Sequence, residues 1–213
     1  AMYAAKNRGG DRFERFNAVI GTEAVTKARL RHDLASSLRT GDFCLHYQPI
    51  YASDGVRMAG VEALARWVRD GKPVSAGEFV PFAEQSGQII PLGRIVIRTL
   101  ACEMPTWLVG ASADFFVSVN LSVKELADVP LVDELLGGGL SPHLDRLIVE
   151  VTESLELQES SEAERNLERL RAEGVRIAID DFGAGFSNFT RLEHLRPSLI
   201  KIDRSLVRRA GSE

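Results

Sequence analysis

Cysteine is nearly absent from this sequence: Cys44 and Cys102 are the only two among 213 residues. Neither sits in a CxxC or Cys/His spacing, which excludes a disulfide framework or a zinc-finger type of centre and predicts buried free thiols in a reducing cytosol. Histidine is also scarce, and the four residues, His32, His46, His143 and His194, are too scattered to form a ligand cluster. Long apolar runs are missing. None approaches the roughly 18 residues of a membrane span, and no signal peptide opens the chain. The expected location is cytoplasmic, which leaves room for a membrane anchor elsewhere in a longer parent protein. A surplus of positive charge is lacking too. The net charge of −4 argues against a nucleic-acid polymer as partner, because a polyanion is normally met by a basic surface. What remains is the composition of an ordinary soluble globular chain, 45% hydrophobic and 26% charged.

One stretch organises the rest. In VRIAIDDFGAGF, Val175, Ile177 and Ile179 alternate as in a strand, which runs into two adjacent carboxylates, Asp180 and Asp181, and then a glycine-rich loop. Two neighbouring acids repel, so the pair wants a cation, a nearby Lys or Arg, or open water. An exposed turn would carry the same dipeptide. Four further segments of the same character decide for a site: VEALARW, FFVSVNLS, LIVEVTES and LIKIDRS. Each is a mainly apolar, strand-like run bearing one group that a buried strand does not want, namely Glu62, Asn120, Glu150 and Lys201. Segments of helical period lie between most of them. Alternation of strand and helix predicts an α/β fold with a parallel sheet, and in a (β/α) barrel the C-terminal strand ends meet on the face that carries the chemistry.

Other segments fill in the frame. Val25 to Thr40 predicts a helix, with Leu30, Leu34 and Leu38 on one face and Gly41 as its cap. FCLHYQPI reads as a strand stopped by Pro49. Ser53-Asp54-Gly55 then turns into VEALARW, so the first strand is expected to run antiparallel to the rest. A helix is expected over Glu78 to Gln85, and a longer one marked by Leu92, Val96, Leu100 and Met104 that Pro105 should end. Gly137-Gly138-Gly139 lacks the strand-before, helix-after context of a phosphate-binding turn. The lone Asp181-Phe182-Gly183 does not make a kinase without its other signature segments.

Glu62, Asn120, Glu150, Asp180 and Asp181 form an all-oxygen set. Such hard donors suit Mg²⁺ or Mn²⁺, and two adjacent acids, one able to bridge, are what a two-metal phosphodiester site needs. Lys201 would add a cation near the attacked phosphorus or the nucleophilic water. Arg66 shares a strand face with Glu62 and Leu64 and could grip a phosphate bidentately. An enolase-type metal-dependent barrel also gathers acids near strand ends.

HYQPI, EALAR, SVNLS, VEVTES, DDFGAGFS and KIDRS, in this order, resemble the EAL domain family, cyclic di-GMP phosphodiesterases built on a TIM-type (β/α) barrel. The resemblance covers about residues 26 to 213. It implies hydrolysis of cyclic di-GMP to the linear dinucleotide pGpG with two Mg²⁺ or Mn²⁺ ions, or, as the alternative, a non-catalytic cyclic di-GMP receptor. It implies Glu62, Asn120, Glu150 and Asp180 as ligands of one ion, Asp180 and Asp181 as ligands of the second, and Lys201 as the residue that orients the water. Gln48, Leu64 and Arg66 are implied substrate contacts. Glu153 is the implied acid that steadies the loop from Asp181 to Ser187, through which a homodimer is expected, with Ser187 its partner. A later EGVE segment and a QGY segment belong to the family pattern, and neither occurs before Glu213. An incomplete barrel lacking its last units, weak or inactive alone, is therefore expected over residues 21–213. Residues 1–20 resemble the tail of a GGDEF (diguanylate cyclase) domain, in AMYAAKNRGGDRF, and imply an upstream GGDEF and sensor part. Gly9-Gly10-Asp11-Arg12-Phe13 is not itself the GGDEF signature, because Arg12 stands where an acid is required.

Overall fold

The computed structural model describes residues 18–69, 71–152, 161–183 and 195–210, with side chains within 29–209. Strands β1 (Phe43–Tyr51) and β2 (Met58–Arg69) form an antiparallel hairpin that sets Gln48 opposite Glu62, and Cys44 opposite Arg66. Its turn is fixed by Asp54, whose Oδ1 accepts the backbone N–H groups of Val56 and Arg57, both at 2.9 Å. Short β3 (Lys72–Val74) extends the hairpin. Parallel strands β4 (Phe116–Asn120), β5 (Leu147–Thr152), β6 (Arg176–Phe182) and β7 (Leu199–Ile202) continue the sheet in the order β1-β2-β4-β5-β6-β7. The antiparallel first strand and the α/β parallel order are as the sequence predicts. Among the described residues the sheet is open: β1 and β7 each pair on one side.

Alternation sorts each strand into two faces. Val61 and Ala63, Val117 and Val119, Leu147, Val149 and Val151, and Ile177 and Ile179 are buried in one apolar core. Helices α3 (Ile89–Leu108), α4 (Val123–Leu126), α5 (Val129–Leu136) and α6 (Glu162–Ala172) supply its other side, through residues such as Val96, Leu100, Leu126, Leu131 and Leu167. The residues in between, Glu62, Ser118, Asn120, Glu150 and Asp180, fall on the opposite face. A second core lies where α1 (Ala18–Thr40) and α2 (Ala76–Ser86) meet the hairpin. There Trp67 stacks on Phe43 at 5.8 Å and meets the edge of Phe79 at 5.9 Å, with Leu34 and Leu92 around them. This packing holds α2 beside β2. Helix α7 (Arg204–Ala210) follows β7.

Several local expectations are corrected. Strand β1 runs through Pro49 to Tyr51, because among the described residues it is an edge strand and a missing N–H costs little on the unpaired side. Helix α1 starts at Ala18, ahead of Val25. Both cysteines are exposed rather than buried: Cys44 lies on the polar face of β1 opposite Arg66, and Cys102 lies off the buried stripe of α3. Helix α3 passes Pro105 and ends at Leu108. The ring removes the N–H that would bond the Ala101 carbonyl, and Gly139, at the start of a 3₁₀ turn over Gly138–Arg146, packs against that carbonyl. A Cβ on Gly139 would stand 2.5 Å from the Ala101 oxygen, a backbone atom that cannot swing away. Gly139→Ala is expected to cost about 1–3 kcal/mol as an overpacking change. A urea midpoint equal to wild type would show that the contact is soft.

Candidate functional site

Three strands deliver three acids to one place. Glu62 from β2, Glu150 from β5 and Asp180 from β6 each present a carboxylate oxygen within 4.8 Å of the others. The ladders that fix this are Glu62 beside Ser118, Asn120 beside Glu150, and Thr152 beside Asp180. Asn120 donates its amide to Glu62 Oε1 at 3.0 Å, so its immediate role is to orient a carboxylate. Lys201 from β7 reaches into the group. Its Nζ lies 2.5 Å from Glu150, 3.1 Å from Glu62 and 3.2 Å from Asp180. Burial pulls the Lys201 pKa down, but the hydrogen bond to Glu150 and the charges of Glu150, Glu62 and Asp180 outweigh it, leaving the ammonium above the ordinary lysine range. Glu150 is 1% exposed and its carboxyl is pushed up by burial, against the lowering effect of the Lys201 bond.

The paired aspartates owe their placement to an irregularity. The ladder between β6 and β7 pairs Ile179 with Ile200 and Phe182 with Ile202, so Asp180 and Asp181 together face Lys201 across a bulge. Asp181 adopts a φ of +55°, and its N–H donates to Asp180 Oδ1 at 2.9 Å. A left-handed Asp is tolerated where its short side chain and its neighbour satisfy the backbone locally. Asp181 stands outside the 4.8 Å trio; its carboxyl is pushed up first by burial and then by the charges of Asp180 and Asp203. Asp203 was not singled out from the sequence. It follows Lys201 by two residues within LIKIDRS, and that parity was the available signal. Its N–H donates to the Phe182 carbonyl at 3.0 Å, tying the end of β7 to the bulge.

Hard oxygen donors at this spacing fit a divalent cation, and one buried atom supports the fit: Glu150 Oε1 has no hydrogen-bond partner among the described residues. Glu62, Glu150 and Asp180 could therefore hold a metal ion. Beside them lies a cavity of about 370 Å³ that runs from Asn120 and Glu150 past Leu64 and Arg66 to Glu84 of α2. The Arg66 guanidinium donates to the Ala65 carbonyl at 3.0 Å and forms no ion pair among the described residues, so it is available to an anion. Gln48 sits opposite Glu62 on the same face of the hairpin. Glu153 and Ser187 lie outside the described residues, as does the loop proposed for dimer contacts beyond Gly183.

The family described as the EAL domain matches residues 31–213 of the chain. The chain belongs to the EAL domain family. It is 38% identical over 210 residues to the Pseudomonas aeruginosa bifunctional diguanylate cyclase/cyclic di-GMP phosphodiesterase MucR, covering 97% of this chain and 31% of that protein. It is 33% identical over 181 residues to the Escherichia coli probable cyclic di-GMP phosphodiesterase PdeB, covering 83% of this chain and 34% of that one. Among solved structures, the MucR phosphodiesterase in complex with cyclic di-GMP superposes with a TM-score of 0.75 at 38% identity, over 87% of this chain and 76% of that chain. The chain thus spans about a third of the length of these two curated relatives. No helix among the described residues is long and apolar enough to cross a membrane.

The floor of the cavity in this EAL domain contains a second kind of carboxyl. Ser122 caps α4, and Glu125 answers it: Oε2 accepts the Ser122 N–H at 2.8 Å and the Ser122 hydroxyl at 2.6 Å, a capping box. Gly93 of α3 leaves the room that Glu125 Oε1 occupies. Burial pushes the Glu125 carboxyl up to about 7, more than the Ser122 bonds lower it. The folded protein therefore keeps a proton that the unfolded chain, ionising near 4.5, releases. Stability from this group is complete below about pH 4.5, declines as pH rises, and is lost by about pH 7, on the order of 3 kcal/mol in all. Urea midpoints at pH 5 and pH 7.5 should differ less in Glu125→Gln than in wild type. An equal difference in the two proteins would place the proton elsewhere.

Proposed function

We propose that the protein is a metal-dependent phosphodiesterase that hydrolyses cyclic di-GMP to the linear dinucleotide pGpG. The observation that carries this reading is the convergence of Glu62, Glu150 and Asp180 within 4.8 Å, around Lys201 and next to a cavity holding Arg66. Glu62, Asn120, Glu150 and Asp180 would hold one Mg²⁺ or Mn²⁺, and Asp180 with Asp181 a second. Such ions supply Lewis-acid polarisation of a phosphoryl oxygen when bound. The chain's own groups do the rest. Arg66 grips a phosphate, Gln48 and Leu64 position the nucleotide, and Asn120 keeps Glu62 aimed. Lys201, held protonated by the acids, orients the attacking water and offsets charge that builds on the phosphorus oxygens. Glu153 steadies the loop from Asp181 to Ser187, and that loop joins two copies in a homodimer. Residues 1–20 are the tail of a GGDEF domain, with a sensor part further upstream, and the EAL domain works in the cytoplasm.

The ammonium of Lys201 already pairs with all three acids and offsets part of their charge, which favours a second reading: a receptor that binds cyclic di-GMP and does not cleave it. Incubation with cyclic di-GMP and Mg²⁺, followed by chromatography, separates the two. The enzyme reading expects pGpG that disappears when EDTA is added. Saturable binding of the cyclic form with no linear product would establish the receptor instead.

A further inference from the structure

Besides Glu150 of the metal-binding trio, two acids line the cavity. Glu125 is held by Ser122 through Oε2, whereas the half-buried Glu84 carboxylate has no hydrogen-bond or ion-pair partner among the described residues. The nearby Lys124 ammonium is taken by the Glu84 backbone carbonyl, at 2.6 Å, and not by its side chain. The intervening walls are apolar: Val80 and Pro81 of α2, and Ile89, Leu92 and Val96 of α3. A flat, weakly hydrated ring would fill such a slot, with its polar edge at the one open acceptor. An ionised carboxylate accepts only, through two oxygens side by side. Guanine offers a matching pair of adjacent donors, N1–H and the 2-amino group. Adenine sets its 6-amino donor beside N1, an acceptor, which a carboxylate repels.

We infer that Glu84 reads a guanine base of the substrate, docked in the slot between α2 and α3 while its phosphate lies at Arg66. This rests on the cyclic dinucleotide reading above and adds to it the residue that selects the base. Glu84 thus acts as a specificity residue lining the same cavity as Glu150, on a helix fixed by Trp67 and Phe79 rather than on a loop. Replacing its carboxylate by an amide turns one acceptor into a donor, the pattern that suits adenine.

The test compares wild type, Glu84→Ala and Glu84→Gln by equilibrium dialysis of cyclic di-GMP and cyclic di-AMP, and by turnover of both with Mg²⁺. Glu84→Ala should weaken cyclic di-GMP binding and raise KM by about tenfold or more, with kcat within about threefold of wild type. Glu84→Gln should shift the ratio of affinities toward cyclic di-AMP, which a merely structural role would not do. Unchanged affinity and base preference in both variants would overturn the assignment. A wild type that binds cyclic di-GMP but forms no product would defeat the enzyme reading alone, and the dialysis would still decide on Glu84.

Discussion

Asp180→Ala is expected to lower metal-dependent turnover of cyclic di-GMP by about 1000-fold or more, the loss that follows when several kcal/mol of metal-assisted stabilisation are removed. Asp180 has three attachments at once. It is one of the converging trio, it pairs with Lys201 at 3.2 Å, and its Oδ1 accepts the N–H that fixes the left-handed Asp181. The comparison with Asp180→Asn separates these roles, since the amide oxygen still accepts the Asp181 N–H but carries no charge. Both variants should lose turnover together if charge at the trio matters most. Steady-state assay across a Mg²⁺ series measures this, and an Asp180→Ala protein with near wild-type rate would show that the acid is only a turn residue.

Lys201→Met has the second large effect, and its size depends on what else occupies the site. Without Lys201, three carboxylates within 4.8 Å face one another with no described cation among them. Removing one partner of a buried ion pair costs about 3–5 kcal/mol, because the charge left behind is uncompensated; Glu150, at 1% exposure, is such a charge. In EDTA the variant is therefore expected to unfold about 3 kcal/mol earlier than wild type, measured by urea midpoint, within the range for such a loss. Mg²⁺ should restore most of that deficit by bringing positive charge to the same acids, and turnover should still fall about 100-fold or more for want of the ammonium. A deficit of equal size with and without Mg²⁺ would mean that the cation binds elsewhere.

The fold and the residue set were legible in the sequence for different reasons. Alternation at Val175, Ile177 and Ile179 and in the four sister segments marked the strands, because one face of each is buried against helices and the other carries the odd polar residue. The antiparallel hairpin was legible from Ser53-Asp54-Gly55. Two prolines misled. Pro49 tolerates a strand because β1 is an edge, and Pro105 tolerates a helix because it falls near the end of α3 with Gly139 against the freed carbonyl. Neither fact is local to the proline, so neither can be read beside it. The cysteines misled for the same reason: exposure is decided by which neighbours arrive, and none of the described residues covers Cys44 or Cys102.

At the site, the types of residue were legible and their division of labour was not. Asn120 belongs to the predicted ligand set, yet its visible bond is to Glu62. Lys201 was expected near the attacked phosphorus or the nucleophilic water, and its visible partners are the three acids. The bulge that turns Asp180 and Asp181 toward Lys201 arises from pairing across β6 and β7, which no single strand encodes. Glu84 and Asp203 sat inside plain helical and strand patterns, where a polar residue is ordinarily solvated. Only the shape of the cavity gives Glu84 its interest, and Asp203 gains its own from its bond to the Phe182 carbonyl and its charge beside Asp181.

The central claim is that acids from β2, β5 and β6 hold divalent ions together. Mn²⁺ titration followed by electron paramagnetic resonance measures it without any substrate, on wild type, Glu150→Gln and the distant surface variant Glu173→Gln. The account predicts saturable Mn²⁺ binding in wild type and Glu173→Gln that is lost in Glu150→Gln. Equal binding in all three proteins would contradict it.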